Sequence, residues 1–223
     1  MNNYFVILGA GKSKRFHKNI AKQFFNYKNK DVIEHSIEKS LSSKLFKKVV
    51  VVVNNPKKIK NKKYSKNITI IKGGRERSDS SLLALKYIRK YRPKNVFIHD
   101  AARPNFTQKI LKKLLLNLKK NKAVVPIVKT RDSIKYKVRN NIFNLDKEKA
   151  FLTQTPQAFR YSDLYKLAIQ KKSKISDEAT LFFENDYKVK FIDGENQNNK
   201  ITFHNDIKLP TTYFGIGFDV HRL

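Results

Sequence analysis

The sequence predicts an α/β fold: an open, mostly parallel sheet with helices on both faces and a β-arm projecting from it. Three observations carry this. Short apolar runs alternate with segments of helical spacing through the first 130 residues, the pattern of a wound parallel sheet. Those runs lack polar alternation, as strands covered on both faces do. After Thr130 the rhythm gives way to two short strand-like runs flanking Arg139 and Asn140, which reads as a hairpin.

Residues 4–8 (YFVIL) are apolar and end in glycine, so they read as a buried strand. Residues 32–41 carry Ile33, Ile37 and Leu41 at helical spacing. The run 49–53 is five valines, a second buried strand closed by Asn54, Asn55 and Pro56. Residues 68–71 form a third strand before Gly73 and Gly74, and residues 78–91 a helix with Leu82, Leu85 and Ile88 on one side. Ser78 and Ser80 are candidates for its N-cap. Strands follow at 96–99, closed by Asp100, and at 123–128, with a helix over 110–118 between them. The hairpin pairs 133–138 with 141–145. Helices at 162–170 and 177–184 and a late strand at 188–192 complete the chain, with Asp177 and Glu178 suited to cap and charge a helix start.

Composition narrows the function. The 223 residues suit one domain with at most a small appendage. There is no cysteine, which excludes disulfides, zinc fingers and thiol catalysis. Hydrophobic residues make up 40%, too many for a disordered basic tail. The opening apolar run is too short for a signal peptide or a membrane span, so a cytoplasmic location is the default expectation. The net charge of +31 attracts polyanions. Lysine is nevertheless spread along the whole chain, and no helix-turn-helix, RNP aromatic pair or basic zipper accompanies it. Neither nucleic acid nor membrane is therefore expected as the main partner.

In wound sheets, ligands bind beyond the carboxyl ends of the strands. The first strand runs into Gly9-Ala10-Gly11-Lys12-Ser13-Lys14-Arg15, where small residues let backbone N–H groups approach phosphate oxygens. Arg15 and Lys22 add positive charge. The loop lacks the GK[ST] ending of a Walker motif and the third glycine of a dinucleotide fingerprint, so alone it reads equally as a turn. Asp100 stands at a strand end and fits either a turn cap or a ligand site. His99 reads as a packed strand-end residue, and His17, His35 and His204 have no partner carboxylates at ligand spacing.

Three further segments, GGRERSDS (73–80), HDAARP (99–104) and TPQ (155–157), join the GAGKSKRF…KQ opening in an ordered series. The series resembles the 2-C-methyl-D-erythritol 4-phosphate cytidylyltransferases over residues 4–202. That resemblance implies a Rossmann-like nucleotidyltransferase sheet and a homodimer joined through a β-arm at about 131–151. The implied reaction transfers CMP from CTP to methylerythritol phosphate, releasing pyrophosphate, with Mg2+ bridging the triphosphate oxygens. Ribitol 5-phosphate is the alternative acceptor, and a basic nucleic-acid-binding protein the remaining alternative.

The resemblance also implies roles. Arg15, Lys22 and Lys200 match the basic residues that stabilise the triphosphate and transition state. Gly9, Ala10 and Gly11 match the nucleotide loop, and Gly74 and Ser80 the cytosine positions. Asp100 matches an acidic residue orienting substrate and metal-bound phosphates, so magnesium is expected near it with no direct protein ligand assigned. Ala101, Arg103, Ser133, Lys147, Thr155 and Ser176 match positions around the methylerythritol phosphate. Departures are Ser13 for a usual glycine, Arg75 for an acidic residue, Ser133 for threonine, and Lys147 for an arginine whose bidentate fork is thereby lost. Finally, residues 215–223 (GIGFDVHRL) resemble the opening strand of 2-C-methyl-D-erythritol 2,4-cyclodiphosphate synthase, where Asp219 and His221 would be metal ligands in a complete domain. The expected organisation is a cytidylyltransferase domain at 1–212 and the start of a truncated second domain at 213–223.

Overall fold

A computed structural model describes residues 2–11, 13, 15–16, 20–59, 64, 67–130, 132–170 and 177–207. Strand β1 (Asn3–Gly9) leads through a small hairpin, β2 (Asn26–Tyr27) and β3 (Lys30–Asp31), into helix α1 (Val32–Ser42). Then come β4 (Lys48–Val53), β5 (Ile68–Lys72), α2 (Arg77–Ile88), β6 (Asn95–Asp100), α3 (Gln108–Leu118) and β7 (Ala123–Lys129). The arm is β8 (Ile134–Val138) and β9 (Asn141–Leu145). The chain returns through β10 (Phe151–Thr153), β11 (Gln157–Arg160), α4 (Tyr161–Gln170), α5 (Glu178–Phe183) and β12 (Val189–Asp193).

The main sheet has eight strands in the order β10-β7-β11-β6-β1-β4-β5, and β12 pairs with β7. β1 is parallel to β4 and β6, and β4 to β5, as expected. The departure is β11, which lies antiparallel between β6 and β7. β10 is likewise antiparallel to β7. The sheet is therefore mixed. The sequence does not announce these two strands, because they are only three and four residues long and Pro156 stands in the short connection between them.

Strand alternation splits the core in two. Phe5 and Ile7 face α1 and α3, with Val49, Val51, Phe97, Leu111 and Leu114. Tyr4 and Val6 face α2, α4 and α5, with Val50, Val52, Leu85, Ile88, Leu164 and Phe182. All five valines of the 49–53 run are fully buried, each worth roughly 1.5–3 kcal/mol of transfer from water. The α2 cap differs from expectation. Glu76 is the N-cap, and Asp79 accepts its N–H at 3.1 Å, while Ser78 and Ser80 lie within the first turn. Asp177 does cap α5, accepting from the Thr180 N–H at 3.1 Å. Among the described residues, no helix is long and apolar enough to cross a membrane.

Candidate active site

The carboxyl ends of β1 and β6, the start of α2 and the segment after β12 enclose a cavity of about 230 Å³. Leu8, Gly9, Ala10 and Gly11 form one wall, Arg75, Glu76, Arg77 and Ser80 another, and Asp100, Ala101 and Ala102 the floor. Lys22, Gln23 and Lys200 complete it.

The glycine loop is held by Gln23, whose Nε2 donates to Gly9 O at 2.6 Å and Gly11 O at 3.3 Å. Ser13 donates to Gln23 Oε1 and accepts from the Lys22 N–H, both at 3.2 Å. Its φ of 54° lies in the left-handed region that favours glycine. That accounts for the familiar glycine there, and the two hydrogen bonds offset part of the strain. Gly73 is needed for close approach, since a Cβ would lie 2.3 Å from Ala10 Cβ. The neighbouring Gly74 N–H donates to Ser80 Oγ at 3.1 Å, so the two expected cytosine positions touch.

Charges alternate across the floor. Asp100 Oδ2 accepts from Lys200 Nζ at 2.7 Å and Oδ1 from Arg77 Nε at 2.9 Å. Arg77 Nη1 in turn donates to Glu178 Oε1 at 2.9 Å. Burial alone would raise the Asp100 pKa, but Arg77 and Lys200 hold the carboxyl well below the usual range. Lys22 donates to Ile201 O at 2.8 Å. Burial first, then Lys200 and Arg15, push its ammonium down to about 8, against the pull of Asp100. Arg15 itself is exposed and not among the residues lining the cavity.

Beneath this floor lies a buried relay. Thr155 Oγ1 accepts from the Asp100 N–H at 3.0 Å and meets His99 Nδ1 at 3.2 Å. His99 Nε2 lies 3.1 Å from Arg103 O, which can only accept, so Nε2 carries the proton and Nδ1 accepts from the Thr155 hydroxyl. Burial pushes the imidazole down to about 3 despite Asp100, with Arg103 adding to the effect, and keeps it neutral. His99 is thus the packed residue expected. Arg103 donates to Asn198 O at 2.9 Å and Thr153 O at 3.3 Å and is not among the residues lining the cavity. Thr155 is 4% exposed, and its hydroxyl proton goes to His99 while its oxygen accepts from Asp100.

The structure thus brings together Gly9, Ala10, Gly11, Lys22, Ser80, Asp100, Ala101 and Lys200 around one cavity. It does not bring Ser133 or Lys147 there; both are exposed on or beside the arm. Ser176, Asp219 and His221, with the 213–223 segment, lie outside the described residues. Two residues that sequence reasoning leaves without roles, Gln23 and Arg77, sit inside the motifs quoted above. Their sequence signal is the KQ and GGRERS strings themselves. Among the described residues, no group of three or more His, Asp or Glu could cage a metal. One cavity carboxylate, Asp100, is shared with cations, which suits a divalent ion carried mainly by phosphate oxygens.

A wound α/β sheet with a glycine loop and two lysines at a strand-end cavity suits an enzyme that binds a phosphorylated ligand, and its relatives place it among the nucleotidyltransferases. The family model of 2-C-methyl-D-erythritol 4-phosphate cytidylyltransferase matches residues 4–215, and the chain belongs to that family. A bifunctional IspD/IspF enzyme of Pelagibacter ubique is 49% identical over all of this chain, which spans 61% of that protein. The 2-C-methyl-D-erythritol 4-phosphate cytidylyltransferase of Thermosipho melanesiensis is 36% identical over 93% of this chain and 95% of its own length. Among solved structures, bifunctional IspDF of Campylobacter jejuni matches with a TM-score of 0.80 at 30% identity, covering 92% of this chain and 53% of that one. The Francisella tularensis cytidylyltransferase matches with a TM-score of 0.81 at 26% identity, covering 93% and 97%.

Proposed function

We propose that this chain transfers CMP from CTP to 2-C-methyl-D-erythritol 4-phosphate. A phosphate oxygen of the acceptor attacks the α-phosphorus. The new P–O bond forms as the bond to the β-phosphate bridge breaks, and its electrons leave with pyrophosphate. No protein nucleophile is needed, so the residues act by positioning and charge neutralisation. Gly9, Ala10 and Gly11 offer backbone N–H groups to the triphosphate. Lys22, Lys200 and Arg15 balance charge on the pentavalent centre and leaving group. Gly74 and Ser80 select cytosine. Ala101 serves the acceptor at the cavity and Thr155 acts through the Asp100 N–H that it accepts, while Arg103, Ser176 and, from the arm of a second copy, Ser133 and Lys147 complete the acceptor site. Magnesium, held on the triphosphate near Asp100, supplies further charge neutralisation when bound.

The observation that carries the reading is the convergence of Lys22, Lys200 and Asp100 on the cavity beside the glycine loop, in a chain of this family. A homodimer through the arm, a cytoplasmic location and a second domain beginning near residue 213 belong to the same proposal. The test is pyrophosphate release from CTP with each acceptor. Turnover with methylerythritol phosphate is expected. Turnover with ribitol 5-phosphate alone would replace the acceptor, and salt-sensitive nucleic-acid binding without turnover would reject the enzyme. Lys22→Ala should lower kcat by about 100-fold or more, the scale of losing one preorganised donor, with circular dichroism unchanged.

A further inference from the structure

We propose that Arg77 is a positioning residue for the transfer: it pins one oxygen of Asp100 so that Lys200 can leave the other for the triphosphate. The inference rests on the function proposed above. Asp100 holds two cations of different character. The Lys200 side chain is 42% exposed and comes from a stretch without helix or strand. The Arg77 side chain is 24% exposed and opens α2. Its far end is gripped by Glu178, 1% exposed, which opens α5. The guanidinium therefore spans two carboxylates and two helices, while the ammonium sits at the cavity on a flexible stem.

An arriving triphosphate competes with Asp100 for Lys200, because it offers more negative charge within reach of the same cavity. Once Lys200 turns away, the Asp100 carboxylate keeps its direction only through Arg77. The planar fork is suited to this, since Nε engages Asp100 while Nη1 engages Glu178, a pair of contacts that one ammonium cannot reproduce with the same geometry. Stability does not account for the arrangement, since buried ion pairs are often no more stabilising than apolar side chains of similar volume.

The test compares Arg77→Met, Arg77→Lys and Glu178→Gln with the parent chain, reading kcat, KM for CTP and thermal midpoint. Arg77→Met should lower kcat about 100-fold while KM for CTP stays within about threefold, a split that a merely structural role would not produce. Arg77→Lys should recover about tenfold of that loss, and Glu178→Gln should lower kcat about tenfold. A folded Arg77→Met with kcat within about threefold of the parent overturns the proposal. Should Arg77→Met fail to fold, parent-like kcat in both other variants overturns it. Should the parent itself release no pyrophosphate, the function fails instead. Crystal structures of the folded variants, Arg77→Lys if Arg77→Met is lost, soaked with inorganic pyrophosphate, then decide the role of Arg77. A displaced Asp100 carboxylate supports it, and an unmoved one overturns it.

Discussion

Lys22 has to be charged to meet a triphosphate, yet burial and Lys200 hold its pKa near 8. The free enzyme should therefore lose its capture of CTP as pH rises through about 8, where the amine gives up its proton. A profile of kcat/KM for CTP that stays flat from pH 7 to 9.5 would contradict this. The folding linkage has the opposite sign. A lysine with a depressed folded pKa costs stability below about 8, and that cost fades as pH rises toward the unfolded value. Gly73 offers a steric counterpart. Gly73→Ala should cost about 1–3 kcal/mol, because the new methyl group meets Ala10 and Ser80. Chemical denaturation and CTP affinity would both register it. At this scale the sequence exposes residue types and motif order, hence Lys22, Asp100 and Lys200. It cannot expose pairings: the two carboxylates that hold Arg77 lie 23 and 101 positions away. For the same reason the carbonyl partners of Arg103 and the hydrogen bonds of the Thr155 hydroxyl are not legible in it.

Helices and buried strands are legible where periodicity is long and uninterrupted, as in α1, α3 and the valine run. Short strands are not. β10 and β11 become strands through pairing with β6 and β7, a tertiary choice that their own few residues do not announce. The arm is readable from its two runs, and its form raises a physical question. Among the described residues, β8 and β9 pair only with each other in their own two-stranded sheet, and such hairpins are marginal in water. Tyr136 and Phe143 stack across it at 5.4 Å, 46% and 43% exposed, on the same face as exposed Val138 and Leu145. Within the proposed function, a second copy covers this face. Replacing Tyr136 and Phe143 together by aspartate should shift sedimentation from dimer to monomer. A parent chain that sediments as a monomer at all concentrations would remove the arm's proposed role.

For the whole molecule, the charge of +31 acts at a distance. Among the described residues the lysines are exposed or half-buried, and Lys22 and Lys200 line the cavity. The surplus should speed the approach of CTP, so kcat/KM should fall severalfold between about 50 and 200 mM salt while kcat changes little. A slope of zero would confine the charge to solubility. The cavity also joins distant stretches of the chain. Lys22 Nζ reaches the carbonyl of Ile201, 179 positions away, and the Ile201 N–H reaches Ala102 O at 2.8 Å. Ile201 packs with Phe16, Tyr27 and Val32 in a small cluster of its own. During synthesis the ribosome therefore delivers every described strand before the last wall of the cavity. Loop closure over such a separation is slow and late, so a nascent chain acquires its sheet first and its capacity to hold a nucleotide last.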